Sequence, residues 1–263
     1  QRGHLTGLAG TASSDSAGEH VTFYESAQAV QPWVRSQRKA ARDRITHEHL
    51  LASSAIPFVF PAKGITIDGH TEYFGDGSMR QSAPIAAAIH LGAERVLVIG
   101  AGRMHEPRGD SAAPPSPSYP SLAQIAGHAL SNIFLDALSV DVERVQRINQ
   151  TLSLIPEEKR THSALRPVEL LVIAPSQRLD AIAARHVGDL PGPVRTMLGA
   201  LGVTSNMADV RGAALASYLL FEQGYTQELM ALGRADTLAR RADVCRFFGW
   251  KDTGAALRTR LPT

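Results

Sequence analysis

The stretch Tyr73-Phe-Gly-Asp-Gly-Ser78, an Ala-rich run at residues 82–91, and Arg95-Val-Leu-Val-Ile-Gly100 decide the fold class. The first ends a short strand, over residues 72–75, in an Asp-Gly turn. The second reads as a helix that tolerates Pro84 in its first turn and stops at Gly92. The third is a continuous apolar strand, the pattern of a strand buried on both faces of a parallel sheet. Strand, helix and strand in that order form the minimal α/β unit.

Working outward, residues 5–12 and 21–24 read as strands. The turn formers of residues 13–18 join them as a hairpin or a short crossover. Residues 46–52 predict a short helix capped by Thr46, with His49 at the capping-box position. Pro57 and Pro61 call for extended chain between them. Residues 103–120 carry Pro107, Pro114, Pro115, Pro117 and Pro120 and read as a loop. Residues 121–152 predict a long helix, since Ile125, Ile133, Val142, Val145 and Ile148 recur at helical spacing. Residues 168–174 read as a second apolar strand that returns to the same sheet. Helices are expected over 206–222, capped by Ser205 or Asn206, and over 226–232 and 235–248.

The expected fold is therefore α/β: a mostly parallel sheet with helices on both faces, extended by a helical C-terminal region. Residues 1–102 form the first unit and 103–120 the linking loop. Residues 121–263 form the helical region, with one further strand at 168–174.

Lysine and arginine number 27 and aspartate and glutamate 25, giving a net charge of +2. That small excess argues against nucleic acid as a partner of the whole chain. The single cysteine, Cys245, excludes an internal disulfide and any Cys-built metal site. No apolar run reaches the 18 or so residues of a membrane span, and no signal peptide is visible, so a cytoplasmic protein is expected.

Asp76 is the leading candidate for chemistry. It stands at the end of a strand, between Gly75 and Gly77, ahead of a helix. Open α/β sheets place their sites at such ends. A carboxylate there can act as general base, metal ligand or ribose contact. The bland alternative is an ordinary Asp-Gly turn. The two glycines are expected to let the backbone turn sharply and approach closely.

A set of ordered motifs sharpens this choice. Ala52-Ser-Ser-Ala-Ile-Pro57, Phe60-Pro61, Asp76-Gly77, Pro84, Gly92-Ala93 and residues 96–99 occur in that order. Upstream stands Leu8-Ala-Gly-Thr11, and downstream stand Ser217-Tyr-Leu-Leu-Phe-Glu222 and Leu232-Gly-Arg-Ala-Asp236. Together they resemble the patatin-like phospholipase family of bacterial type, densely over residues 5–100 and more weakly over 205–248. The resemblance implies a lipid acyl-ester hydrolase that works by a Ser–Asp dyad through an acyl-enzyme, with neither metal nor cofactor. Asp76 would be the general base and Gly77 its turn.

Two departures stand against the family pattern. Ser78 holds the third position of the Asp-Gly motif, where Gly or Ala is usual. More seriously, no G-x-S-x-G nucleophile elbow occurs in the 263 residues, and the glycine-rich oxyanion loop is missing with it. The nucleophile Ser is not in this chain, and the chain alone is expected to be inert towards acyl esters. Ser53, Ser54 and Ser78 lack the strained elbow the chemistry needs. A truncated chain is one account; a non-catalytic binding or scaffold protein on the same fold is the other.

Weaker signals remain. Gly100-Ala-Gly102 begins like a dinucleotide fingerprint, but His105 stands at the third glycine position. His47 and His49, at i and i+2 of a helix, do not converge on a metal. Arg35, Arg38, Lys39 and Arg42 fall at i, i+3, i+4 and i+7, beside Trp33. Read as a helix, they form either a solvated face or a stripe for peripheral contact with anionic membrane headgroups.

Overall fold

The computed structural model describes residues 5–102 except 58 and 68, residues 122–160, 163, 165–200, 203 and 210–252. The side chains of residues 122–136 and 210–212 lie outside that description. So do the expected loop at 103–120 and the Ser205 or Asn206 cap.

The chain is mixed α/β, but its larger sheet is not mostly parallel. Strands β1 (Gly7–Ser14), β2 (His20–Ser26), β3 (Val34–Arg35), β4 (Arg38–Arg42), β5 (Lys63–Ile67) and β6 (His70–Asp76) form a six-stranded sheet. Their order is β3-β4-β2-β1-β6-β5. Only β2 and β4 run parallel; the other pairs are antiparallel. The cause is local. The turns after β1, β3 and β5 reverse the chain within a few residues, and tight turns can join only antiparallel neighbours. β1 and β2 thus form the hairpin that was one of the two expected arrangements.

Four of the expected basic residues change neighbours in consequence. Arg35, Arg38, Lys39 and Arg42 lie not on a helix but on the β3–β4 hairpin. Gln37 turns that hairpin with φ at +57°, in the left-handed region, and its carbonyl accepts from the His20 N–H at 2.9 Å. Side chains alternate along a strand. Arg38 and Arg42 therefore share one face of β4, and Lys39 takes the other. There Lys39 pairs with Glu19 at 3.1 Å and lies 3.9 Å from Glu72.

Helix α1 (His47–Ser53) covers one face of this sheet. Thr46 caps it as expected, and His49 Nδ1 accepts from the Thr46 N–H at 3.2 Å. Ala52 packs there with Ala12, Val21, Phe23, Ile65 and Phe74. The His49 ring meets Phe23 edge-on, at 4.6 Å between centroids. Beyond α1 the chain turns rather than extends: the Ile56 carbonyl accepts from both Val59 and Phe60.

After β6, a single 3₁₀ turn, Gly77–Arg80, leads to a short α2 (Ala86–His90). Pro84 sits in the turn before α2, which is why the helix is shorter than residues 82–91. Gly92 ends it with φ at +98°. Strand β7 (Arg95–Ile99) then pairs in parallel with β8 (Glu169–Ile173), as expected of two apolar runs returning to one sheet. Among the described residues that sheet has two strands, and it is not buried on both faces. Val96 packs with Val142 and Val145 of the long helix α3 (Leu122–Ser153), while Leu97 and Ile99 point outward and are exposed.

After the short helix α4 (Glu157–Arg160), the C-terminal helices are α5 (Leu179–His186), α6 (Gly192–Ala200), α7 (Val210–Ser217), α8 (Gln223–Ala239) and α9 (Arg241–Phe248). The break expected near residue 233 falls instead at Arg240. Ile182, Leu198, Leu215, Leu220 and Tyr225 build their core, which also takes in Ile56 from the first half of the chain. Among the described residues, no helix is long and apolar enough to cross a membrane.

One polar joint ties this bundle together. His186 closes α5 and holds Asp189 through Nδ1 and Glu228 of α8 through Nε2, both at 2.9 Å. Those carboxylates raise its pKa above the ordinary 6.5. The charged bridge therefore stabilises fully below 6.5 and fades as pH climbs through the raised folded value. Raising pH from about 6 to 9 should cost about 0.5 kcal/mol through this joint, a loss that Glu228→Gln reduces, leaving the Asp189 share. Urea midpoints of the two proteins at both pH values measure it; equal pH slopes would rule the coupling out.

Candidate functional site

Asp76 is the last residue of β6 and is buried, 7% exposed. Its N–H donates to the Ala55 carbonyl at 3.0 Å, which ties it to the end of α1. Across the ladder it faces Ala12 of β1. Its side chain caps the 3₁₀ turn: Oδ1 accepts from the Ser78 N–H at 2.9 Å and from the Ser78 hydroxyl. Among the described residues, none donates to Oδ2. The carboxylate is thus held by one oxygen and keeps the lone pairs of the other.

Gly77 is needed for a reason that no dipeptide shows. A Cβ there would lie 2.2 Å from the Thr11 carbonyl oxygen and 2.5 Å from its carbon. Gly75, by contrast, has ordinary room: its nearest neighbour would be Asp15 at 3.5 Å. Only the second of the two glycines is required by close approach.

The serines sort themselves. Ser54 donates its hydroxyl to the Leu50 carbonyl at 2.9 Å, and Ser53 ends α1. Ser78 touches Asp76 directly, but as a neighbour within the same tight turn. The side chains of His47 and His49 do not converge: His47 is exposed and His49 is buried in its cap. Among the described residues, no group of three or more metal-ligating side chains forms.

A second cluster lies on the other face of the same sheet: it joins Arg35 and Arg38 of the basic stripe to His20 and His90, which the sequence reading did not single out. Register places Arg35 opposite Arg38, Arg38 opposite His20, and His20 opposite Ser13. Partners directly across a ladder share a face, so these four form one transverse row. His20 is 2% exposed, its Nδ1 has no hydrogen-bond partner among the described residues, and burial depresses its pKa to about 4. The Arg38 charge depresses it further, while the Gly77 carbonyl beside the ring acts the other way. Above them α2 brings His90, stacked on Trp33 at 4.4 Å, with its pKa lowered by burial and by Arg35 and Arg38. A cavity of about 70 Å³ opens among His20, Trp33, Arg35, Arg38 and His90. The sequence marks its arginines and Trp33 as a basic stripe but not the cluster, because His20 and His90 join them only through strand register and the fold-back of α2.

A larger cavity of about 380 Å³ lies along α3, between Val140, Arg144, Ile148 and Leu165, and neither Asp76 nor His20 lines it. Comparison with protein-family models and with curated proteins finds no match to this chain.

Proposed function

We propose that this chain carries the base of a lipid acyl-ester hydrolase of patatin-like type, with the nucleophilic serine supplied by polypeptide outside the 263 residues. The observation that carries the reading is Asp76: a buried strand-end carboxylate with one oxygen pinned by Ser78 and the other without a donor among the described residues. A serine hydroxyl becomes a useful nucleophile when a positioned acceptor takes its proton. The free oxygen of Asp76 is such an acceptor, and pinning the other fixes its direction. The ordered motifs from Ala52 to residue 99 support the same reading. The family's parallel sheet is not part of that support, given the antiparallel ladder of the six strands.

The test uses the native product from its source, assayed on a fluorogenic acyl ester and with a serine-directed fluorophosphonate. The native product should turn over and label, and the 263-residue chain should do neither. Asp76→Asn should cut turnover by about 100-fold or more, the usual contribution of general base catalysis. Ser78→Ala should keep most of it. Turnover retained in Asp76→Asn would overturn the assignment. Labelling of the 263-residue chain that Ser78→Ala abolishes would move the nucleophile to Ser78.

A further inference from the structure

We propose that the cavity between β2, the β3–β4 hairpin and α2 is a binding site for a phosphomonoester group, with Arg35 and Arg38 as its cationic clamp and His20 as its buried wall. The site is separate from Asp76. By register, Asp76 lies with Ala12 and Val21 on the α1 side of the sheet, and His20 lies on the other side. The inference does not depend on hydrolase activity.

Three observations carry it. First, the charge is unspent. Among the described residues, no carboxylate lies within 4 Å of Arg35 or Arg38. One acid that feels the Arg38 charge is Asp141 of α3. That carboxylate is already occupied, accepting from the Ile85 N–H at 2.9 Å and from Arg144 at 3.2 Å. Two guanidinium forks set in a row match a dianionic, multi-oxygen group better than a single carboxylate.

Second, the buried polar wall is incomplete. A buried nitrogen without a partner is costly and rare in native proteins. Among the described residues, His20 Nδ1 has no partner at hydrogen-bond geometry, the nearby Gly77 carbonyl included, and His20 lines this cavity. Third, the size is right for a compact group. About 70 Å³ exceeds what one water needs and is too small for a nucleoside or an acyl chain. The stacked Trp33 and His90 rings close one side, and the Gln37 turn holds the two arginines on one face.

Such a group could arrive as soluble phosphate or on a lipid headgroup, and the experiment separates them. The 263-residue chain is titrated calorimetrically with inorganic phosphate near pH 7 at fixed ionic strength. Saturable binding is expected below about 20 mM, weakened about tenfold or more by Arg38→Gln and by Arg35→Gln. Lys251→Gln, a remote exposed cation, should change nothing. Circular dichroism checks that each variant is folded; Arg35 is exposed, so its variant is expected to fold. A second arm uses phosphatidylcholine vesicles doped with phosphatidic acid or with phosphatidylglycerol. Binding to phosphatidic acid that phosphate competes away places the group on a lipid. Phosphate binding without vesicle binding makes the ligand soluble. No saturable phosphate binding, or binding equal in both arginine variants and the unsubstituted chain, would overturn the site.

Discussion

Gly77→Ala should destabilise this protein by about 3 kcal/mol or more, and the loss should exceed that of any other glycine-to-alanine change in the sheet. The argument is steric. The new methyl would sit 2.2 Å from the Thr11 carbonyl oxygen and 2.5 Å from the Thr11 carbonyl carbon and Oγ1. Two of these atoms belong to the backbone of β1, which is paired on both sides by β2 and β6. A flexible side chain could swing away; a central strand cannot. Relief must come from displacing the 3₁₀ turn, and that turn holds Asp76 through the Ser78 N–H. Gly10→Ala is the control on the same strand, where an added Cβ meets nothing within 4 Å. It should be neutral or slightly stabilising, by up to about 0.5 kcal/mol, because it only restricts the unfolded chain. For a domain of this size, 3 kcal/mol corresponds to a fall in melting temperature of about 10 °C. Thermal and urea unfolding of the two variants decide it. Equal stabilities would mean that the Thr11 approach is not real.

How far the sequence could be read follows the range of the interactions. Apolar runs, a capping Thr and a glycine stop are local, and so β7, β8, α1, α3 and the end of α2 were legible. The β1–β2 hairpin was nearly so, because its turn formers are contiguous. Sheet direction was not. A run such as Arg95–Ile99 reads as buried on both faces, yet Leu97 and Ile99 are exposed, since burial depends on which other elements arrive. The basic stripe failed for a sharper reason. Arg35, Arg38 and Arg42 share a face at helical spacing, but Arg38 and Arg42 also share a face in a strand, four residues apart being even. Lys39 and Arg35, at odd spacings from Arg38, tell the two periods apart, and Arg35 regains the Arg38 face only because the chain reverses at Gln37. At the candidate site, Asp76 was legible from its Asp-Gly turn, whereas the reason for Gly77 lies 66 residues away at Thr11. Ser13, His20 and His90 have no local signature at all, and the row that joins Ser13 and His20 to Arg35 and Arg38 exists only through strand register.

His20 should make this protein acid-labile well above the range where carboxylates titrate. In the folded chain its pKa is depressed to about 4, against 6.5 when unfolded. Burial is the main cause and Arg38 adds to it. Above pH 6.5 the ring is neutral in both states and costs nothing. As pH falls below 6.5 the unfolded chain takes up a proton that the folded chain refuses. Stability is therefore lost progressively until about pH 4, where the folded ring also protonates. The full span of that gap corresponds to about 3 kcal/mol, of which most should be gone by about pH 4.5. His90, depressed in the same direction, adds to the loss, and His186, raised by its carboxylates, opposes it. Comparing urea unfolding at about pH 7 and 4.5 in the unsubstituted chain and in His20→Gln cancels both, along with the carboxylates. The variant should lose less by about 2 kcal/mol. Should the variant not fold, the His20 ring resonances of the unsubstituted chain give the same answer, with a midpoint near 4 expected and one near 6.5 excluding the effect. Phosphate adds a further constraint. An anion held beside His20 by Arg35 and Arg38 favours the imidazolium, so saturating phosphate should move that midpoint upward. It should do so in the unsubstituted chain and not in Arg38→Gln, whereas an unbound salt would move both alike.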